Sequence, residues 1–474
     1  MFKEKLKKIT EWEYEIPKEG EMLVPGKIFT SSALLKELDE NALTQVANVA
    51  CLPGIQKYSI AMSDMHVGYG FPIGGVGVFD PNENGIISVG GVGFDINCGC
   101  RTLKTELFLK DVQPKIKEFV DELFNNVPAG LGSRGKILVK DLDNVFLEGA
   151  KWAIEKGYGT QEDLEFTESN GCVGGAVPEN VSELAIKREK KQVGTLGSGN
   201  HYLEVQYIDE IYDKEVAKAW GLDKNQIVIT LHCGSRALGH QIGTDYLKTF
   251  ADASRKYGIP IRERELVCAP IKSEEGQKYF SAMNCGINYA FANRQVIAHL
   301  VRQSFSKIFP GQDIKMLYDV GHNTCKIEKH VIDGKEKEVY VHRKGATRAF
   351  GPGRKELPKI YQKTGQPVII GGTMGTSSYL LVGTKEGEEK AFASCCHGAG
   401  RAMSRTQALK NWGGDNITKE LQEKGIYVRC HSFSGLAEES PLAYKPVEDV
   451  VDSIHNAGLA KKVCRLKPIG NIKG

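Results

Sequence analysis

Apolar residues recur every three or four positions over four long stretches of the chain. This spacing places them on one face of an α-helix, so each stretch is predicted to form an amphipathic helix. The stretches cover residues 111–125, 144–156, 240–257 and 274–308. Asp111 can cap the first helix, and Gly157 suits the position just beyond the end of the second. Cys285 and His299 fall inside the longest helix, where we interpret them as core or helix-face residues.

Short runs of β-branched and apolar residues, broken by glycine, predict strands between the helices. Residues 76–79 (VGVF) and 86–89 (IISV) are two such runs, and the glycines beside them fit bulges or a backbone close to a ligand. Residues 328–345 flank the turn sequence Asp333-Gly334, which predicts a β-hairpin. His330 in this hairpin is expected to be a solvated surface residue.

The chain shows no internal repeat, low-complexity stretch or Ser/Pro-rich linker that would divide it. Its candidate ligands run from Asp95 to His397, so one catalytic unit must span about 300 residues. We therefore predict a single large α+β domain over residues 1–474, with a β core flanked by helices.

Composition and charge narrow the class of protein. Hydrophobic residues make up 41% and charged residues 26%, which is ordinary for a soluble globular protein. The net charge of +3 is too small to indicate nucleic-acid binding by itself, so any basic footprint must be local. The basic N-terminal segment lacks the apolar stretch of a secretory signal, and no run of 18 apolar residues predicts a membrane span. The twelve cysteines form no CxxC pair, so we expect free thiols in a cytoplasmic protein with no membrane contact.

Five candidate metal ligands stand beside glycine where apolar, strand-like runs end. Side chains at strand ends project into the crevice where ligands bind. A thiolate, a carboxylate and several imidazoles exceed the needs of a closed tetrahedral zinc site, so two ions sharing a bridging thiolate is the economical arrangement, and it suits phosphoryl transfer. Taken singly, each histidine fits a core or helix-cap role equally well. The five residues are Asp95, Cys98, His201, His232 and His322.

Three loops combine glycine with serine, threonine or arginine, at residues 194–201, 371–378 and 397–401. Small residues allow backbone N–H groups to approach a phosphate, although no GxxxxGK[ST] motif is present. His397 opens the third loop. Its imidazole is partly neutral at pH 7 and can act as a nucleophile toward phosphorus, while a sixth metal ligand or a core histidine remains an alternative.

Basic residues near these motifs are candidates for tracking a polyphosphate or an RNA backbone. Arg236 and Arg401 are the strongest, because they are embedded in the motifs, and Arg405 follows closely. Lys355 is more typical of a solvated surface. The segment 342–355, interpreted as a Gly/Pro-rich loop, adds Arg343, Lys344, Arg348, Arg354 and Lys355.

Seven motifs occur in order along the chain: SDMHVGYGFPIGG, GVGFDINCGCR, GSGNHYLEV, HCGSRALGHQIG, DVGHN, GGTMGTSSYL and SCCHGAGR. Together they resemble the motifs of the RtcB family of RNA-splicing ligases, and the likeness extends from about residue 20 to the terminal KPIGNIKG. The resemblance implies one α+β domain with a metal and nucleotide site at strand ends. It also implies GTP- and Mn²⁺-dependent joining of RNA 2′,3′-cyclic phosphate or 3′-phosphate ends to 5′-hydroxyl ends, in tRNA splicing and RNA repair.

Carried over motif by motif, the resemblance implies that Asp95, Cys98 and His201 hold one Mn²⁺. Cys98, His232 and His322 would hold the second, and His397 would form the covalent guanylate. Glu204 would accept hydrogen bonds from the guanine edge. The small protein archease, which assists guanylylation in many members, is a candidate partner. The shell around the guanosine phosphate would comprise Asn200, His201, Tyr202, Leu203, Glu204, His322, Asn323, Gly371, Gly372, Thr373, Met374, Ser378, His397, Gly398, Ala399, Gly400, Tyr444 and Lys473.

Three other functions fit parts of the sequence. A dinuclear metallo-phosphoesterase acting on RNA ends would use the same ligands without a nucleotide step, and GTP dependence separates it from a ligase. A non-catalytic RNA-binding protein would not need five buried ligands. A ligase nucleotidylated on lysine would use Lys410 in KNWGG, but that short match is more typical of a solvated residue just past a helix.

Overall fold

Two β-sheets, of seven and eight strands, form the centre of this mixed α+β fold, with helices around them. The structure is a computed structural model that describes residues 2–137, 139 and 141–474. Its strands are β1 (Lys7–Lys8), β2 (Glu13–Ile16), β3 (Gly26–Phe29), β4 (Ile55–His66), β5 (Ile73–Phe79), β6 (Ile86–Ser88), β7 (Gly99–Phe108), β8 (Tyr202–Ile211), β9 (Gln226–Cys233), β10 (Cys268–Pro270), β11 (Ile314–Gly321), β12 (Asn323–Ile332), β13 (Lys335–Lys344), β14 (Ala346–Arg348), β15 (Pro367–Ile370), β16 (Ser378–Gly383), β17 (Ser394–Cys396), β18 (Tyr427–Cys430) and β19 (Ala460–Lys473).

Helices cover the outer faces of the sheets and fill the space beside them. Short 3-10 turns lie at Gln113–Lys115, Glu168–Gly171, Pro178–Asn180, Arg264–Leu266 and Pro441–Ala443. The α-helices are α1 (Phe2–Lys5), α2 (Ser32–Glu37), α3 (Glu40–Val49), α4 (Leu109–Val112), α5 (Ile116–Asn126), α6 (Leu142–Glu148), α7 (Ala150–Glu155), α8 (Gln161–Glu165), α9 (Glu183–Glu189), α10 (Lys214–Trp220), α11 (Arg236–Lys256), α12 (Glu274–Ile308), α13 (Lys359–Thr364), α14 (Lys385–Ala391), α15 (Arg405–Asn411), α16 (Gly414–Glu423), α17 (Phe433–Glu438) and α18 (Val447–Asn456).

The seven-stranded sheet has the order β1-β2-β3-β4-β5-β13-β12, and the eight-stranded sheet has the order β11-β7-β9-β8-β19-β16-β15, with β18 paired to β19. One face of β7, β8 and β9 packs on α5 and α12. Apolar residues of β4, β5 and β13 share a second cluster with those of β15, β16 and α18, so this core joins the two sheets. The remaining strands form two small pairs, β6 with β10 and β14 with β17.

The helix predictions agree with the structure in position and differ in detail. Helix α12 spans Glu274–Ile308, as predicted, and packs against α5, α6, α7 and α11. The helix predicted over 144–156 is split into α6 and α7 at Gly149, which takes a φ of +58° that glycine adopts readily. The helix predicted over 111–125 is likewise divided, into α4, a 3-10 turn and α5. The prediction that Asp111 caps it is wrong, because Asp111 lies inside α4, where its side chain accepts a hydrogen bond from the backbone N–H of Phe108. No helix among the residues described is both long and apolar enough to cross a bilayer.

The predicted hairpin is confirmed as β12 and β13, which turn at Asp333-Gly334 with positive φ at both residues. The prediction for His330 is wrong, because its side chain is buried and its Nε2 lies 2.9 Å from Glu328. In most strands of a surface sheet, apolar side chains face inward and polar ones face outward, but part of β12 shows the reverse. Glu328 and His330 face inward with the ion-paired Arg343 of β13, while Ile327, Lys329 and Val331 are exposed.

The interpretation of residues 342–355 as one Gly/Pro-rich loop is wrong for its first half, since residues 342–344 lie in β13 and residues 346–348 lie in β14. Lys355 is exposed, as predicted. Arg343 lies in β13 and Arg348 in β14, and both side chains are buried. Arg343 pairs with Glu328 at 2.5 Å, and Arg348 pairs with Glu168 at 3.2 Å. These two guanidinium groups form ion pairs inside the protein, because a buried charge requires a partner of opposite charge.

Candidate metal centre and nucleotide cavity

The segments that carry the candidate ligands meet at one edge of the eight-stranded sheet. Antiparallel pairing places the end of β9 beside the starts of β7 and β8, because His232 pairs with both Cys100 and Tyr202. Gly99 at the start of β7 pairs in turn with Gly321 at the end of β11. Strand register alone therefore brings four sequence-distant loops to the same place.

The donor atoms form two triads that share the thiol of Cys98. One triad adds His232 and His322, the other adds Asp95 and His201, and within each triad the donors lie within 4.8 Å of one another. Cys98 Sγ is 3.1 Å from His232 Nε2 and 3.4 Å from His201 Nε2. The structure thus brings together all five residues proposed from the sequence, in an arrangement that fits two metal ions on either side of one sulfur.

The imidazoles are oriented for metal binding by contacts on their far side. His201 Nδ1 lies 2.9 Å from the carbonyl oxygen of Leu196, and His232 Nδ1 lies 3.2 Å from that of Asn200. Because a carbonyl only accepts, Nδ1 carries a hydrogen in both rings, and Nε2 faces the cluster. Burial holds the pKa values of His232 and His322 well below the ordinary value, which keeps these two rings neutral.

One arginine in the middle of α12 supports the ligand loops. Arg294 Nη1 donates to the carbonyl oxygens of Asn97 at 2.6 Å and Cys233 at 2.9 Å, and these residues adjoin two of the ligands. The same guanidinium pairs with Asp319 at 2.8 Å, and Arg101 binds that carboxylate from the other side at 2.6 Å. All three charged side chains are fully buried. The network fixes the backbone on which the ligands stand.

Asn293, the residue before Arg294, supports the loop that leads to His201 and the backbone just beyond β9. Its Oδ1 accepts from the backbone N–H groups of Gly194 at 2.7 Å and Thr195 at 3.1 Å, at the start of the loop that leads to His201. Its Nδ2 donates to the carbonyl oxygen of Gly234, 3.2 Å away, just beyond β9. Sequence reasoning missed this pair of residues, because a polar residue on a buried helix face looks like a break in the apolar pattern.

His397 lies directly after β17 and faces the metal centre, with its ring 4.8 Å from that of His322. Its Nδ1 is 2.6 Å from Asp64 Oδ2, which also accepts the backbone N–H groups of His397 at 3.0 Å and Gly398 at 3.4 Å. Burial alone would raise the pKa of Asp64, but His397 and Lys445 outweigh it and hold that pKa below its ordinary value. The ionised carboxylate therefore accepts a hydrogen bond from the Nδ1–H, which leaves the Nε2 lone pair for chemistry.

Asp64 and Glu439 are functional candidates that sequence reasoning did not single out. Asp64 is fully buried in β4, and the only signal for it was its place in the motif SDMHVGYGFPIGG. Glu439 is buried and binds Arg401 at 3.3 Å, Arg405 at 3.2 Å and the hydroxyl of Tyr444. Arg401, expected to contact phosphate, is thus also part of an internal ion pair.

The two triads and His397 open into a cavity of about 360 Å³. Most of the proposed nucleotide shell lines it, together with Tyr69, Phe94, Lys344 and the ion pairs around Glu439. The lining residues from the proposed shell are Asn200, Tyr202, Glu204, His322, Asn323, Gly371, Gly372, Thr373, Met374, His397, Gly398, Ala399, Gly400, Tyr444 and Lys473.

Three members of the proposed shell do not form the cavity wall. Leu203 alternates with Tyr202 and Glu204 along β8, so its side chain packs in the apolar cluster under the sheet. Ser378 instead accepts the backbone N–H of Gly372 at 3.1 Å and thereby shapes a loop of the wall. His201 belongs to its metal triad. Arg236, by contrast, reaches the centre, with Nη1 3.3 Å from His201 Nδ1.

Glu204 contributes a carboxylate to the cavity wall on β8. Its two carboxylate oxygens accept from Asn471 Nδ2 at 2.5 Å and Gln206 Nε2 at 2.8 Å. Burial raises the pKa of Glu204 to about 8. Lys473 Nζ donates to the carbonyl oxygens of Gly199 and His201, at 2.9 and 3.2 Å, and so ties the C-terminal strand to the ligand loop.

Comparison with known proteins agrees with the motifs and the geometry. The family model described as tRNA-splicing ligase RtcB matches residues 45–474. Proteins named tRNA-splicing ligase RtcB are similar over nearly their whole length: those of Archaeoglobus fulgidus and Thermococcus kodakarensis are each 52% identical over 99% of both chains. That of Methanococcus maripaludis is 53% identical over 98% of this chain and 99% of its own. The chain belongs to the RtcB family of tRNA-splicing ligases.

Proposed function

We propose that this protein ligates RNA, joining a 2′,3′-cyclic phosphate or 3′-phosphate end to a 5′-hydroxyl end through a covalent guanylate on His397. The single observation that carries the proposal is the position of His397, whose Nδ1 is held by a buried carboxylate while its ring faces two metal-binding triads. The three relatives compared above are named tRNA-splicing ligases, which supports RNA as the substrate and splicing as a role; we propose RNA repair as a second role.

In the first step the Nε2 lone pair of His397 attacks the α-phosphorus of GTP. An N–P bond forms, the bond between the α-phosphorus and the bridging oxygen breaks, and pyrophosphate leaves. The positive charge that develops on the imidazole is stabilised by the carboxylate of Asp64, which accepts a hydrogen bond from the Nδ1–H throughout the step. Backbone N–H groups of the glycine loops at 371–372 and 398–400 are suited to contact the phosphate oxygens.

The guanylate then passes from His397 to the RNA 3′-phosphate, which restores the neutral imidazole. The 5′-hydroxyl oxygen attacks that activated phosphorus, a phosphodiester forms and GMP leaves. A cyclic phosphate end is first opened by water to a 3′-phosphate. Arg236 is suited to hold the RNA phosphate, because its guanidinium stands beside the His201 triad.

The donor set suits two Mn²⁺ ions, which when bound supply positive charge for the phosphate oxygens and lower the pKa of the attacking hydroxyl. The fit rests on the oriented Nε2 atoms, the shared Cys98 thiol and the Asp95 carboxylate. Zinc, iron and cobalt are also compatible with such mixed ligands. A buried thiol at the centre favours a reducing compartment, so we place the protein in the cytoplasm.

Glu204 is proposed to select guanine. Glu204 lines the cavity with Lys473 nearby, and burial keeps its carboxyl protonated up to a pKa of about 8 when no nucleotide is bound. The two adjacent N–H donors of the guanine edge would favour its ionised form, which accepts both hydrogen bonds. Adenine presents an acceptor at the corresponding ring position and would repel the carboxylate.

Archease is the proposed accessory to guanylylation. The triads and Glu204 lie along the eight-stranded sheet, whereas His397 is held by Asp64 on β4 of the seven-stranded sheet, so we infer that residues 1–474 act as one catalytic unit.

The test is incubation with [α-³²P]GTP and Mn²⁺, followed by denaturing electrophoresis and mapping of the labelled residue. We expect label on the wild-type protein and none on His397→Ala, with the metal content of the variant unchanged. His299→Ala, a histidine on α12 outside the cavity, is the matched control and should label normally. Label persisting on His397→Ala would refute the assignment. Release of RNA-end phosphate without GTP, and without label, would instead indicate a dinuclear phosphoesterase.

A further inference from the structure

We propose that an aromatic strip at the mouth of the cavity binds a terminal nucleobase of the RNA by stacking. The strip consists of Tyr69, Phe94 and His240, and the first two line the cavity. The inference rests on the proposed function, because it takes the ligand to be a single-stranded RNA end that enters the metal centre.

The three rings form a continuous row. Tyr69 and Phe94 meet edge to face, with centroids 5.9 Å apart and planes at 82°. Phe94 and His240 lie 5.2 Å apart at 31°. These distances leave no room for a base between the rings, so a base must stack on an outer face. Tyr69 offers one, since 63% of its surface is exposed to solvent.

Tyr69 is exposed on a backbone that is firmly held. Lys344 Nζ donates to its carbonyl oxygen at 2.9 Å, and the N–H of Phe71 donates to the same oxygen at 2.8 Å. On either side, Gly68 N–H donates to Gln45 at 3.0 Å and Gly70 N–H donates to Glu263 at 3.3 Å. A large aromatic side chain at a fixed, exposed position contributes little to the core. It does provide a preorganised platform, which reduces the entropy lost when a ligand stacks on it.

The chemistry around the strip matches a nucleotide. Phe94 directly precedes the candidate ligand Asp95, so a base on the strip would lie near the metal centre. Arg236, at the start of α11, has Nη1 3.3 Å from His201 Nδ1, so a cation for the phosphate stands beside the candidate metal centre that Asp95, the neighbour of Phe94, helps to form. Glu204, proposed for guanine, borders the cavity on β8 rather than on the loops that carry the strip, which leaves the strip for the RNA.

The experiment measures binding of two fluorescent single-stranded RNAs of about ten nucleotides, a length within the usual site size. One ends in a 5′-hydroxyl and the other in a 3′-phosphate, and GTP is omitted so that no ligation occurs. We expect Tyr69→Ala to weaken binding of at least one RNA by about 10- to 100-fold, and Tyr69→Phe, which keeps the ring, to restore it. Tyr257→Ala, an exposed tyrosine at the far end of α11, is the matched control and should bind as the wild type does.

A second pair of RNAs carries an abasic terminal nucleotide. If Tyr69 stacks on the base, wild-type protein loses affinity for the abasic RNA and Tyr69→Ala loses nothing further. Wild-type affinity in Tyr69→Ala, or an equal loss on intact and abasic RNA, would overturn the inference while leaving the ligase assignment untouched. Failure of the wild-type protein to bind either intact RNA would count against the proposed function itself, and the inference would fall with it.

Discussion

Substitution of Asp64 by asparagine removes one negative charge from the buried side of His397 with almost no change in shape. Asp64 Oδ2 accepts three hydrogen bonds, and an asparagine carbonyl in the same place can accept all three. The tautomer of His397 is therefore kept, and the change isolates the charge. The new amide nitrogen replaces Oδ1, a buried atom without a hydrogen-bond partner among the described residues, and stands near the cationic Lys445.

The size of the effect follows from the 2.6 Å separation between Asp64 Oδ2 and His397 Nδ1. At an effective dielectric constant of about 20, a carboxylate attracts a positively charged imidazole at this distance by about 6 kcal/mol. An amide dipole retains part of that attraction, so we expect a loss of about 3–4 kcal/mol when charge develops on the ring. That corresponds to guanylylation slower by about 10²- to 10³-fold.

The assay is the single-turnover rate of labelled adduct formation at saturating [α-³²P]GTP and Mn²⁺. Asp64→Ala should be slower still, because it also leaves the N–H groups of His397 and Gly398 without an acceptor. Asp80→Asn is the control, because Asp80 is also a buried carboxylate next to the seven-stranded sheet but does not line the cavity. It shows how far replacing any buried aspartate by asparagine slows adduct formation. A rate for Asp64→Asn within about threefold of wild type would refute the role assigned to the charge.

Two further predictions test the metal centre and the proposed guanine site. Cys98→Ala should lose both the bound metal and the ligation activity, because the two triads share its thiol. Cys285→Ala, which alters another buried cysteine, is the control. Elemental analysis that still finds two ions per chain in Cys98→Ala would contradict the prediction. Glu204→Gln should raise the melting temperature of the metal-free, nucleotide-free protein at pH 9 but not at pH 5. The pKa of Glu204 is about 8 in the folded protein, against the ordinary value of 4.5 in the unfolded chain, so ionisation of this carboxyl increasingly destabilises the fold as the pH rises between those values. A difference in melting temperature between Glu204→Gln and wild type that is equal at pH 5 and pH 9 would exclude this explanation.

The helix pattern and the turn chemistry were readable from sequence because they depend on neighbours along the chain. The period of apolar residues gave both ends of α12, and Asp333-Gly334 located the β12–β13 turn. The convergence of the ligand segments was also predictable, since each ended a strand-like run beside glycine. The register that brings His232 level with Cys100 is a long-range pairing that no local pattern encodes.

Buried polar residues account for most of what sequence reasoning missed. Asn293 and Arg294 lie on the buried face of α12, where an apolar residue is the usual expectation, and they hold the ligand loops instead. Asp64 in β4 and His330 in β12 are hidden for the same reason, because a polar residue in a strand normally indicates the solvent face. Each of these side chains is paired through space, and only the folded structure shows the partner.

His322 is the only residue between β11 and β12, and so between the two sheets. Its N–H donates to the carbonyl oxygen of Cys98 at 2.8 Å, and its own carbonyl accepts from Ala346 at 3.1 Å. Most connections between strands tolerate extra length, but here one added codon would shift the imidazole out of its register and turn it to the wrong side of the strand. Insertions in the surface loops would leave the candidate metal centre in place, whereas an insertion between β11 and β12 would displace one of its candidate ligands.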